Sequence, residues 1–343
     1  DAARVVRLGE QPIDFGTLAE LQSWEASLTP NDATALTRLE TILDSRKPIR
    51  PTLDAFGWGL ATTTTAMMLG TSWVDPIVAG LVGELVRRVH RWLELAGFRP
   101  VALLVVSLIA GLVGGISTLV GGSEAAIALS AVIFFVPGLG LTTAMSEAAA
   151  GHWNSGNTRL IGVVSEAVQL ATGLMMSQWL LGEIPQLLTT GAGPDWWLWA
   201  AIVLSPVGFA ILLRCRPIDY LPVVVVSTVG YLVAEHVGGT AGAGLAAFAI
   251  GLGAVFFHRL MDIPRLSLTV PGILLLVPGL LSVRGVQYLL AHDVAQGAPL
   301  IGDAHAAACA LAIGLWVAFA AARYDRVNRG RSVLKPQRAR TTL

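Results

Sequence analysis

Charge is what this chain has least of. Only 13% of its 343 residues are Asp, Glu, Lys or Arg, against roughly 25% in a soluble domain. The deficit is concentrated, because apolar runs of helix-spanning length recur from about Leu53 to Ala322. Cysteine is almost as scarce. Cys215 and Cys309 are the two present, with no CxxC and no His/Cys cluster, which argues against a disulfide framework or a zinc site. P-loop, GxSxG and HExxH patterns are missing, so no hydrolytic engine is visible and no cofactor is implied. No signal-peptide pattern opens the chain at Asp1. What is plentiful is apolar surface, at 54% hydrophobic residues and a mean hydropathy of +0.66, together with 37 glycines. Small residues suit close helix packing in a membrane.

The expected fold is therefore an all-α polytopic membrane protein. Ten apolar segments are read at 53–71, 73–86, 100–120, 125–148, 159–182, 196–213, 218–234, 240–257, 266–290 and 303–322. Residues 1–50 read as a small cytoplasmic α/β remnant: a strand at Ala3–Leu8, then helices over Phe15–Leu28 and Asn31–Leu43. They would be the tail of a domain whose beginning is missing. Residues 51–190 and 191–323 form two five-segment halves, and 324–343 a basic cytoplasmic tail.

The basic residues test this count. Arg46, Lys47 and Arg50 precede segment one, and Arg87, Arg88, Arg91 and Arg99 lie between two and three. Arg159 lies between four and five, Arg214 and Arg216 between six and seven, Arg259 and Arg265 between eight and nine, and a cluster from Arg323 to Arg340 follows ten. All fall on one side. The opposite loops carry Glu124, Glu183, Asp195, Glu235, Asp293 and Asp303 and no Lys or Arg. Both termini of this inner-membrane protein are thus assigned to the cytoplasm. Arg284, inside segment nine, is the exception.

The halves align without gaps at an offset of 141: Phe135-Val136-Pro137-Gly138-Leu139 on Leu276-Val277-Pro278-Gly279-Leu280, Gly156 on Gly297, Pro76-Ile77 on Pro217-Ile218, Asp54 on Asp195 and Trp58 on Trp199. Five segments is an odd number, so the second half enters from the opposite face. That is the inverted repeat of many secondary transporters.

Segments four and nine each break near their middle, at Pro137-Gly138 and Pro278-Gly279. Proline removes a backbone donor and clashes with the preceding turn. Paired midplane breaks point to a substrate site, since the half-helix N-termini suit a carboxylate; a plain proline kink is the alternative. Arg284 follows on the second half-helix. A charge there costs roughly 2.5–3.5 kcal/mol on insertion scales and needs a partner. That partner is a substrate carboxylate, or else Glu147 or Glu166 in a structural ion pair. Thr142, Thr143 and Ser146 offer hydroxyls to a polar substrate or bond back to their own helix. Glu147 and Glu166 are candidate proton carriers, as carboxyls in apolar surroundings titrate nearer neutrality. Glu84 reads as structural beside Arg87 and Arg88. Trp58, Trp73, Trp196, Trp197 and Trp199 read as an interfacial belt. Gly111, Gly114 and Gly115 offer a face for helix association, and so for a homo-oligomer.

Val136-Pro137-Gly138 with Glu147, Gly151, Gly156 and Arg159, then Val277-Pro278-Gly279 with Arg284 and Gly285, resembles the bacterial threonine/serine exporter family. The likeness covers nearly the whole chain. It implies a fused form with a cytoplasmic N-terminal domain, ten transmembrane helices and export of threonine and serine driven by protons. Glu147, Arg159 and Arg284 match the family's pattern; Glu166 sits about a turn later than the acid expected there. The resemblance implies an antiporter, not an enzyme, with small amino acids, protons and the bilayer as partners and no nucleic acid. Arg159 would gate the cytoplasmic mouth beside Glu147. Rival readings are a succinate-like dicarboxylate exporter on the same fold, a passive channel, or a membrane-anchored enzyme acting through its N-terminal domain.

Overall fold

The computed structural model describes residues 14–28, 34–44, 50–70, 72–182, 193–194, 196–276 and 278–333. Among these it is all-helical. The expected strand at Ala3–Leu8 lies outside the described residues, while the two helices after it are present as α1 (Phe15–Ala26) and α2 (Ala35–Asp44). The first half continues with α3 (Pro51–Leu69), α4 (Val74–Leu95), α5 (Ala102–Ser117), α6 (Glu124–Ala131), α7 (Gly138–Ala149) and α8 (Trp153–Leu181). The second contains α9 (Trp196–Leu212), α10 (Tyr220–Val237), α11 (Gly239–Met261), α12 (Arg265–Leu276), α13 (Pro278–Leu290) and α14 (Val294–Val333).

Helices therefore occupy all ten apolar stretches, but they differ in length and polarity. Among the described residues six are long and apolar enough to cross a membrane: Arg99–Val120, Trp153–Leu181, Pro217–Val237, Gly239–Met261, Arg265–Leu290 and Val294–Ala322. The pair Glu124–Ala131 and Ile133–Ala149, bent by 58°, makes a seventh if it counts as one span, and Trp196–Leu212 is a shorter apolar helix. In α3, Thr62, Thr64 and Thr65 dilute the apolar surface; their hydroxyls donate back to carbonyls of the preceding turn, which satisfies them without a partner helix. The second half of α4 is charged. There Arg87 bridges Asp54 of α3 and Glu84, each at 2.7 Å, and Arg88 also holds Glu84, so Arg87 ties α3 to α4 while Glu84 stands beside Arg87 and Arg88 as the sequence implied.

The break in the first half has a local cause. Val136 is extended at φ −68°, ψ 121°, as the residue before a proline tends to be. A short 3-10 turn over Ile133–Phe135 precedes it, and α7 restarts at Gly138. In the second half α12 ends at Leu276 and α13 begins at Pro278.

The element starts echo one another. Glu124 and Arg265 open α6 and α12, and Trp153 and Val294 open α8 and α14; both pairs lie 141 residues apart. Packing follows suit: α5 lies on α8 as α11 lies on α14, and α7 on α8 as α13 on α14, while α3 and α9 pack on each other. A β-carbon on Gly156 would meet Ala144 and Ala148; one on Gly297 would meet Gly285 and Leu289, each again 141 residues on.

Buried side chains form two main clusters. Val86, Val106, Ile127, Leu170 and Val283 join α4, α5, α6, α8 and α13. Phe15, Ala61, Phe209, Val223 and Leu268 join α1, α3, α9, α10 and α12. The N-terminal helices are thus not a free-standing unit. Phe15 and Gly16 donate backbone hydrogen bonds to Leu213 and Arg214, and Arg214 pairs with the α1 cap residue Asp14 at 3.3 Å.

Two expectations change. Gly111, Gly114 and Gly115 are buried, seating α5 against Ser177, the Glu124 carbonyl and Leu181. They join helices within the chain, because close backbone approach is what a missing β-carbon permits. Trp58 stacks on Phe134 and Phe135, and Trp197 is buried against Trp73 at 4.6 Å; only Trp73, Trp196 and Trp199 of the expected belt are exposed.

Candidate functional site

The two breaks meet. A β-carbon on Gly279 would fall against the Gly138 backbone and the Val136 side chain, so the starts of α7 and α13 touch. Between them lies a void of only 10 Å³, lined by apolar groups such as Phe134, Phe209 and Leu274. Pro137 and Gly138 are buried there. Nothing the size of an amino acid fits in that space.

The large space is beside it. A cavity of 810 Å³ is bounded by the start of α6, the end of α8, the length of α13 and the start of α14. Arg284 lines it from α13 and Glu124 from α6, with Gln178, Gln287, Tyr288 and Gln296 adding polar groups. The remainder is apolar, from residues such as Ala128, Leu129 and Leu281. Exposed Gln178, Tyr288 and Gln296 form the rim. Among the described residues neither the Arg284 nor the Glu124 side chain has a hydrogen bond or ion pair. Neither of the structural pairings considered for Arg284, with Glu147 or with Glu166, is formed.

Backbone contacts fix where Glu124 stands. Ser123 caps α6, its hydroxyl accepting from the Ala126 amide at 3.3 Å. The fully buried Asp75 carboxylate accepts from the amides of Ser123 at 2.7 Å and Ser72 at 3.1 Å. One carboxylate thus joins the α3–α4 turn to the cap residue of α6, and holds Glu124 next to Gly115 of α5.

Of the remaining predicted residues, Ser146, Glu147 and Arg159 gather where α7 ends and α8 begins. Arg159 donates to Glu147 at 2.8 and 3.2 Å, and Ser155 donates to the other carboxylate oxygen. Ser146 accepts from the Trp316 indole at 2.8 Å. Arg265 lies 5.7 Å from the centre of the Phe319 ring. Thr142 and Thr143 donate to the carbonyls of Gly138 and Leu139 at 3.0 and 2.7 Å, within their own helix. Glu166 stands apart, exposed on α8, and is brought to none of the others.

These two ends are images of each other in the numbering. Adding 141 to the cavity residues Glu124, Met175 and Gln178 gives Arg265, Trp316 and Phe319, and subtracting 141 from Gln287 gives Ser146. At one end these positions line open space; at the other they touch in pairs. Glu124, Gln178 and Gln287 escaped the sequence reading. Glu124 looked like one more acid in an outer loop, and only its helix-capping neighbour Ser123 hinted that it begins a buried helix.

Residues 2–180 match the family described as a putative threonine/serine exporter, and residues 198–320 match the threonine/serine exporter family ThrE. No curated protein and no solved structure matches the chain.

Proposed function

The chain belongs to the threonine/serine exporter family, and from that membership we propose a secondary active exporter of threonine, serine and similar small amino acids. It works by proton antiport through ten transmembrane helices arranged as two inverted five-helix halves. Four observations support the repeat: the 141-residue offset of the α6/α12 and α8/α14 starts, the matching helix partners, the matched seats of Gly156 and Gly297, and a boundary between the two family matches that falls between α8 and α9. The arginine-bearing loops lie on the cytoplasmic face of a bacterial inner membrane, with both termini on that side. The cavity then opens outward.

The observation that carries the reading is Arg284, a cation without an ion-pair partner among the described residues, in an 810 Å³ cavity within a membrane-spanning chain. A guanidinium there is costly unless water or an anion satisfies it, and it matches a carboxylate with two parallel hydrogen bonds. The closed pairs at the opposite end, Glu147–Arg159 and Trp316–Ser146, suit a carrier, which opens to one side at a time, better than a pore. Arg159 gates that end and Glu147, with Glu166, carries the proton. Thr142, Thr143, Ser146 and the Pro137-Gly138 and Pro278-Gly279 breaks belong to the path that the substrate meets when that end opens.

The test is flux of labelled L-threonine in liposomes holding the purified protein, with and without a pH gradient, beside Arg284→Ala and with succinate as competitor. Saturable, gradient-driven flux lost in the variant is the expected result. Succinate flux without threonine flux would transfer the function to dicarboxylates, and flux that neither saturates nor answers to the gradient would mean a channel.

A further inference from the structure

We propose that Glu124 is the ammonium-binding residue of the cavity, facing Arg284 as the second pole of an α-amino-acid site. The inference rests on reading the cavity as the substrate site, and it goes further by naming the group that selects a zwitterion. Two ionisable side chains of opposite sign line one cavity from different helices, and among the described residues neither is neutralised. A free amino acid carries the complementary pair on adjacent atoms. Its carboxylate satisfies the guanidinium and its ammonium the carboxylate, so each protein charge meets its counterpart only when substrate is bound. Charge-assisted hydrogen bonds of this kind are the strong ones.

Ligands with one charge type fare worse. A dicarboxylate would bring its second anionic group into a space that already holds the Glu124 carboxylate, and like charges at close range repel. An amine without a carboxylate would leave Arg284 unmatched. The uncharged lining groups Gln178, Gln287 and Gln296 can serve a side-chain hydroxyl but cannot replace either pole. Glu124 also opens α6, where a carboxylate interacts well with the helix dipole. That role is a matter of stability. It gives no discrimination between ligands, and so separates from binding in a measurement.

The experiment is equilibrium binding to the purified full chain in detergent. The probes are L-threonine, 3-hydroxybutyrate (which lacks the ammonium) and succinate, tested on wild type, Glu124→Gln and Glu124→Asp, with thermal unfolding of each variant as the folding control. Wild type is expected to prefer threonine. In Glu124→Gln, threonine affinity should fall about 10- to 100-fold, the worth of one charged hydrogen bond, while 3-hydroxybutyrate holds or gains. Glu124→Asp should recover part of the preference. Equal losses for both ligands, or unchanged threonine affinity in a folded Glu124→Gln protein, would overturn the assignment and leave the exporter reading intact. A wild type that binds succinate and not threonine would overturn both.

Discussion

Gly279 stands so close to Gly138 that a β-carbon on Gly279 would lie 2.6 Å from the Gly138 amide nitrogen. The starts of α7 and α13 are therefore in van der Waals contact, and the two glycines act as a joint between the halves of the molecule. A methyl group there would meet the Gly138 backbone and, equally close, a methyl of the β-branched Val136 side chain, whose χ1 has little freedom to give way. Gly279→Ala should destabilise the protein by about 1–3 kcal/mol, the usual range for overpacking. Thermal unfolding in detergent checks this, and a variant as stable as wild type would mean that the contact is looser than described.

The docking of α1 can be tested in the same way. Phe15 is 4% exposed in a cluster with Leu213, Cys215 and Ile263. Phe15→Ala removes a buried ring and should cost about 3–5 kcal/mol if the site cannot collapse. The same change should raise protease cleavage between α2 and α3. Cleavage and stability both unchanged would mean that the N-terminal helices contribute nothing to the transmembrane body.

Cys215 gives a chemical probe of that region. Burial pushes its thiol up to about 12, with Asp219 adding to the shift. The reactive thiolate is then almost absent near neutral pH. A raised pKa keeps the thiol protonated across the whole range in which maleimides are used, so Cys215 should stay unlabelled at pH 7.5 and react once the protein unfolds. Mass spectrometry of labelled peptides reads this directly. Rapid labelling of Cys215 in the native protein would contradict its burial.

How far the sequence reached depends on which kind of information each feature needs. The helices at all ten apolar stretches and both Pro-Gly breaks are local, written in runs of apolar residues and in proline's missing donor. The pairing of Glu84 with Arg87 and Arg88 is local too, at spacings of three and four on one helix. The cavity is not local. It exists where the start of α6, the end of α8, α13 and the start of α14 come together, and no spacing in the sequence says that Glu124 and Arg284 share it. Gly111 reads the same whether it faces lipid or, as here, Ser177. Trp58 likewise resembles an interfacial tryptophan until Phe134 is seen stacked on it at 4.7 Å. Thr142 and Thr143 could have faced a ligand, and their bonds to their own helix are visible only once the turn is built.

Proton coupling gives a prediction for Glu147. Its carboxylate is held by Arg159 and Ser155 at the end away from the cavity. If that carboxylate carries the proton, Glu147→Gln should abolish the acceleration of threonine flux by a pH gradient. Exchange of labelled for unlabelled threonine, which needs no net proton movement, should survive. Gradient-driven flux that persists in Glu147→Gln would remove Glu147 from the role, and the same assay on Glu166→Gln would show whether the exposed α8 acid has it.

The closed end gives the last prediction. Trp316 donates to Ser146 at 2.8 Å, and their images 141 residues earlier and later, Met175 and Gln287, line the open cavity without closing it. If the halves exchange conformations during transport, the Trp316–Ser146 bond must break as the Met175–Gln287 approach forms. One hydrogen bond is worth about 1 kcal/mol net, so Trp316→Phe should shift the ratio of the two states about fivefold toward opening at the arginine-bearing end. Met175→Trp places an indole donor opposite Gln287 and should shift the ratio the other way, closing the cavity. Single cysteines at Ala125 on the cavity wall and at Ala148 on the opposite end, in a chain with Cys215 and Cys309 replaced by serine, report each opening by maleimide accessibility. The two substitutions should move the two reporters in opposite directions. Movement of both reporters the same way would indicate general loosening, and no movement of either would mean that the Trp316–Ser146 contact does not gate the exchange.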